Sequence, residues 1–182
     1  ADLLAAIGPN GPAQHYITGY ATTTYIKVYD KYLCFAGPQR SRLVAARIED
    51  GKLLWQKDHG NLLLVLRDDG VYAAGPQNGG TGGVPETGFK FAYDTGEVLA
   101  KLPKRRACTR ATGSVDSIFY RAAEGTVRSA TATNQTHHMA PMRPPCKGGV
   151  LISDGQLYWG PWMCGCQLSL YGHVCLAPAE DF

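Results

Sequence analysis

The chain has 182 residues, of which 45% are hydrophobic and 18% charged, a composition that excludes intrinsic disorder and allows a real core. Its net charge of +3 is too small for a nucleic-acid binder, and no basic stripe with interleaved aromatics occurs. No apolar run approaches the ~18 residues of a membrane span, and Ala1–Ile7 lacks the charged start and the length of a signal peptide.

In chain order, Ala1–Ile7 shows an apolar alternation and is a candidate strand. Residues 42–56, RLVAARIEDGKLLWQ, read as strand, acidic-Gly turn and a second strand ending in a tryptophan. The segment LLLVLRDDGVYAAGP is an apolar strand, an Asp-Asp-Gly turn and another short strand. A third strand, FKFAYD, is followed by a Thr-Gly turn and a fourth, EVLAKL. The stretch after Cys146 predicts a strand to Ile152, a hairpin at Asp154-Gly155 and a strand from Gln156 to Met163. The last repeat then stops at Glu180-Asp181-Phe182 without a clear fourth strand.

These pieces repeat. RRACTRATGSVDSIFYR, from Arg105, aligns without a gap on RPPCKGGVLISDGQLYW, from Arg143, matching Arg105 to Arg143, Cys108 to Cys146, Asp116 to Asp154 and Tyr120 to Tyr158. Ala36-Gly37-Pro38-Gln39 recurs as Ala74-Gly75-Pro76-Gln77, and IEDGKLLW, residues 48–55, is echoed by YDTGEVLA, residues 93–100. Short strands and turns at a period of ~40–50 residues are the signature of a β-propeller with one four-stranded antiparallel sheet per blade. The fold class expected is all-β, with about four blades at roughly 16–57, 61–102, 106–142 and 144–182, forming one propeller segment over 1–182.

The segment RLVAARIEDGKLLWQ resembles the repeat of PQQ-like, quinoprotein-type propellers. The resemblance covers roughly residues 16–178 and implies that Trp55 docks against the neighbouring blade, whereas Ala100 stands at the matching tryptophan position of the next repeat. It also implies membership of a larger ring of about seven or eight blades, completed by further blades from the same precursor or another chain. Members of that family that catalyse carry an adjacent-cysteine ring and a calcium set of Glu, Asn and Asp; neither constellation is visible here, so a PQQ site is not expected in this segment.

Six cysteines suggest an oxidising, periplasmic or extracellular home. Propeller geometry sends the loops between second and third strands, and between blades, to one face. Cys108, Cys146, Cys164 and Cys166 are expected there together, with His137, His138, Met139, Met142 and Arg143 in the connection before Cys146. Two disulfides, a zinc or copper site recruiting His137, His138 and Met142, and buried free thiols are the three readings of that cluster. Consecutive strand residues point to opposite sides, so at most one of His137 and His138 would face a site. Arg105 and Arg143 are candidate anion contacts; the alternative for the basic group around Arg105 is a solvated edge.

No Cys-x-x-Cys-His is present, so covalent haem is not expected, and no nucleophile elbow, phosphate loop or dinucleotide fingerprint occurs. Two functions fit. One is a non-catalytic binding or assembly module that meets a protein partner through its loop face, as the bacterial outer-membrane assembly propeller, similar in repeat, implies. The other is a quinoprotein-like or metal-dependent oxidoreductase using the Cys/His face. The run Tyr158–Met163 is either a partner surface or a core in which Tyr158 and Trp162 pack and Trp159 points away.

Overall fold

A computed structural model describes residues 2–6, 25–36, 42–57, 63–74, 88–102, 110–122, 125–140, 142–145, 148–160 and 172–178. Two compact units divide the chain, Ala1–Arg105 and Arg106–Phe182.

The first unit holds two four-stranded antiparallel sheets. One orders β1 (Tyr25–Tyr29), β2 (Tyr32–Ala36), β3 (Leu43–Arg47) and β4 (Leu53–Lys57) consecutively, and the other does the same with β5 (Leu63–Arg67), β6 (Gly70–Ala74), β7 (Gly88–Phe91) and β8 (Val98–Leu102). Their registers repeat residue for residue. Ile26 pairs with Phe35 and Val28 with Leu33; 38 positions on, Leu64 pairs with Ala73 and Leu66 with Val71. A bulge falls between Ala45 and Ala46, and its counterpart between Lys90 and Phe91.

The turns after β3 and β7 close alike. Gly51 N donates to Arg47 O (3.0 Å), and Gly96 N to Ala92 O (3.0 Å), with φ of +65° and +67° at the two glycines. This left-handed conformation costs a side-chain-bearing residue, so glycine suits both turns.

Alternation directs one face of each sheet at the other. Tyr32, Cys34, Leu43, Ala45 and Trp55 meet Leu64, Val71, Ala73, Phe91 and Tyr93 in one buried cluster. Each large side chain buried there contributes roughly 1.5–3 kcal/mol. The Trp55 indole donates to Tyr93 O (2.6 Å) and its ring lies 5.6 Å from that of Phe91. Tyr93 stacks on Tyr29 and Tyr32, at 5.4 and 4.7 Å, and donates its hydroxyl to Arg67 O (2.7 Å). The strand expected at the chain start is instead a helical turn, α1 (Leu3–Ala6), closed by Ala6 N to Asp2 O and capped by the Asp2 carboxylate on Ala5 N. Capping of the early amides by Asp2 favours that turn over an extended strand.

The second unit contains β9 (Thr112–Gly113), β10 (Ser117–Ala122), β11 (Gly125–Ala130) and β12 (Thr136–Ala140) in one antiparallel sheet. A further sheet has β13 (Leu151–Ser153), β14 (Gln156–Trp159) and β15 (Val174–Leu176), three strands among the described residues. The strand expected from Cys146 begins only at Leu151. Gly149 turns the chain with φ +73° and donates to Pro145 O (3.0 Å), and a Cβ there would meet Arg110 O at 2.7 Å. The following strand covers Gln156–Trp159, and Pro161 to Met163 of the expected strand lie outside the described residues.

Trp159 also reverses the expected facing of its strand. It is fully buried, in a cluster with Phe119 and Val150 that Met142, Ile152, Leu157, Val174 and Leu176 flank. Its indole donates to Thr126 Oγ1 (2.8 Å), whose hydroxyl donates to Met142 O (2.8 Å). Tyr158 lies on the opposite face, half-buried, with its hydroxyl on Gln156 Oε1 (2.6 Å). Aromatic content could not set the phase of this short strand; the indole N–H could, because a buried donor needs the acceptor that only Thr126 supplies.

Candidate functional site

A groove of about 480 Å³ opens in the second unit. Phe119 of β10, Ile152 of β13, Leu157 of β14 and Leu176 of β15 give it an apolar floor, and Met139 of β12 borders it. Ser114, Asp116 and Gly155 line it from the hairpins β9–β10 and β13–β14. It therefore lies at the hairpin end of these sheets, whereas the sequence pointed to the loops at the other end.

Its polar rim is held in place before anything binds. Arg128 Nη2 reaches Asp116 Oδ2 at 2.9 Å, and Arg128 Nε donates to Ser117 Oγ at 2.6 Å. Asp116 takes a hydrogen bond from Ser114 Oγ (2.9 Å), and its main-chain oxygen takes two from Thr131, N at 2.9 Å and Oγ1 at 3.0 Å. The Ser114 hydroxyl, then Ser117 and the Arg128 charge, hold the Asp116 carboxyl below its usual range. Both charged groups keep water contact, so the pair orients more than it stabilises. An apolar trough beside a fixed guanidinium–carboxylate pair can seat a side chain of either charge at its edge and apolar ones on its floor.

In the first unit a second charged group is more enclosed. Asp69 Oδ2 accepts from Tyr72 OH and Lys90 Nζ, both at 2.7 Å, and Oδ1 from Arg67 Nε at 3.2 Å. Burial pushes the Asp69 carboxyl up, but Lys90, Tyr72 and Arg67 outweigh it and leave it below its ordinary value. Three strands and a turn are tied together here.

His137 and His138 are exposed on β12, opposite Arg128 and Val127. Met142 packs at the Trp159 cluster, and Arg143 is half-buried beside it. Cys108, Cys146, Cys164, Cys166, Trp162 and Arg105 lie outside the described residues. Among the described residues no three of His, Cys, Asp and Glu gather, and Cys34 and Cys175 are free thiols, the first buried and the second exposed. Arg128 was not legible as a rim residue because nothing in the spacing from Asp116 marks the pair; the signal was the register, which sets Arg128 across from Phe119.

No protein-family model matches the chain, and no curated protein matches it. Solved structures do. BamB from Moraxella catarrhalis is 19% identical with a TM-score of 0.57, over 74% of this chain and 39% of that one. The computationally designed Ika4 protein is 15% identical with a TM-score of 0.61, over 88% of this chain and 94% of its own. The designed Ika8 protein is 12% identical at a TM-score of 0.50, over 74% of this chain and 41% of that one. This chain thus spans about two fifths of BamB. At these identities the likeness is one of fold, and the fold is that of antiparallel β-propeller blades.

Proposed function

We propose that this chain is a non-catalytic module of PQQ-like propeller blades that binds or assembles with a protein partner, in the periplasm or outside the cell. The observation that carries the reading is the groove on the second unit, with its apolar floor and its Asp116–Arg128 rim. Most of the residues that line it belong to strands and tight hairpins, which suits recognition by a rigid surface more than chemistry. The segment it fits is short and amphipathic, two or three apolar side chains with a charge at one end. The compartment rests on the cysteines: Cys108, Cys146, Cys164 and Cys166 would form two disulfides on the loop face, leaving Cys34 and Cys175 as the free pair.

Selection of displayed peptides on the immobilised chain tests the reading. Peptides with paired apolar residues and one charge should be enriched, and Met139→Glu or Arg128→Ala should weaken them about tenfold or more, while Glu49→Lys on an exposed turn of the first unit should not. Peptides that bind all three variants alike would remove the groove from the function. Mass mapping of free thiols that finds all six cysteines reduced would remove the compartment.

A further inference from the structure

We infer that the outer face of the β1–β4 sheet is a seat for one further blade of this same repeat, carrying a tryptophan on its last strand.

The first unit already contains one such joint, and its residues can be mapped onto the uncovered face. On the β5–β8 sheet the surface turned toward β1–β4 includes Leu64, Leu66, Val71, Phe91 and Tyr93. Through the shared strand registers these positions correspond, in the β1–β4 sheet, to Ile26, Val28, Leu33, Ala46 and Ile48. Leu64 is 2% exposed and Tyr93 9%. The counterparts of Leu64, Leu66 and Tyr93, namely Ile26, Val28 and Ile48, are 58%, 60% and 46% exposed. Ile26, Val28 and Ile48 thus stand exposed where the other copy of the repeat is packed, while Ala46 is buried and Leu33 half-buried.

The glycines identify what is missing. At Gly96 a Cβ would strike the Trp55 ring at 2.7 Å, and Trp55 donates to the main-chain oxygen of Tyr93. Gly51 has the same left-handed φ at the same turn position, and a Cβ there would meet nothing within 4 Å. The indole seat therefore exists at Gly51 and Ile48, with nothing within Cβ reach. Among the described residues, the helical turn α1 covers the far end of the face, where Ala6 meets Phe35 and Val44. Four helical residues span about 6 Å, roughly a third of a five-residue strand. Trp55 and Trp159 are bonded elsewhere and do not fill the seat, and Trp162 lies outside the described residues. The joint between the two sheets defines what this face would take, a tryptophan-bearing blade, which we assign to other polypeptide.

Thiol labelling tests this in two steps. Val28→Cys in the full chain should react with a maleimide within about threefold of its rate in denaturant. Protection of tenfold or more there would mean the chain covers the face itself and would overturn the inference. A tandem variant, with a second copy of residues 25–62 inserted ahead of Tyr25, supplies a tryptophan-bearing blade in register. It should protect the native copy's Val28→Cys at least tenfold and shift tryptophan emission to the blue, and Gly51→Val in the native copy should undo both. Unchanged labelling in the tandem variant, or a tandem variant that no longer unfolds cooperatively, counts against the seat, because a face shaped for a blade accepts one delivered beside it.

Discussion

The indole of Trp55 fills the volume that a side chain on Gly96 would take, with 2.7 Å between the ring and a Cβ built on that glycine. The two residues belong to different sheets, and each explains the other: the ring needs a bare α-carbon to lie flat, and its N–H then reaches Tyr93 O. Trp55→Ala should destabilise the first unit by about 3–5 kcal/mol. Gly96→Ala should cost about 2–5 kcal/mol from strain and overpacking together, and Gly51→Ala only about 1–2 kcal/mol from strain. Urea unfolding ranks the three; equal costs at Gly51 and Gly96 would mean that the ring does not press on Gly96. The double variant of Trp55→Ala and Gly96→Ala should cost less than the sum of the two single costs.

In the second unit the Trp159–Thr126–Met142 chain of hydrogen bonds is buried. Thr126→Val keeps the shape and removes the hydroxyl, leaving an indole donor and a carbonyl unmatched. A loss of about 1–3 kcal/mol is expected. Trp159→Phe alone should cost a similar amount, and a thermal-unfolding cycle on both should reveal coupling of at least about 0.5 kcal/mol. Strict additivity would break the link.

Asp69 makes a prediction about acid. Its carboxyl lies below the ordinary carboxylate range when folded, so the stability it contributes is present above the unfolded value, near about pH 4, and is lost as pH falls through the folded one. Asp69→Asn should therefore lower stability at pH 7 and flatten its decline between about pH 5 and pH 2. Guanidine midpoints measured across that range check it; parallel curves for the two proteins would place the Asp69 charge outside the folding balance.

The two free thiols should behave oppositely. Burial pushes the Cys34 thiol up to about 12, so the thiolate is scarce at pH 8, and access is blocked as well. Cys175 is exposed on β15 beside Gln156, with its sulfur 3.0 Å from Oε1. Iodoacetamide followed by peptide mapping should modify Cys175 within minutes and Cys34 only in denaturant. Labelling of Cys34 in the folded chain would mean that β2 opens.

The strands and turns were legible because their signals are local. Asp69-Gly70 and Asp154-Gly155 mark hairpins, and the Gly of IEDGKLLW and YDTGEVLA marks a left-handed turn. A third copy of that turn escaped notice because Asn134 replaces the glycine. Asn134 has φ +56° and donates to Ala130 O at 2.8 Å, as Gly51 and Gly96 donate to their own partners, and asparagine also tolerates this conformation.

What the chain alone determined is the repeat: its period, its all-β character and the pairing of neighbouring strands, all set by local backbone preferences and short-range alternation. Tertiary structure alone decided which aromatic of Tyr158-Trp159 turns inward and that Arg128 meets Asp116. Phase on a four-residue strand is worth little by alternation. It is fixed by partners distant in sequence: Thr126 stands 33 residues from the indole it accepts, and Arg128 is 12 from its carboxylate. A hydrogen bond closed over such a span leaves no periodic trace, because only the folded sheet brings its ends together.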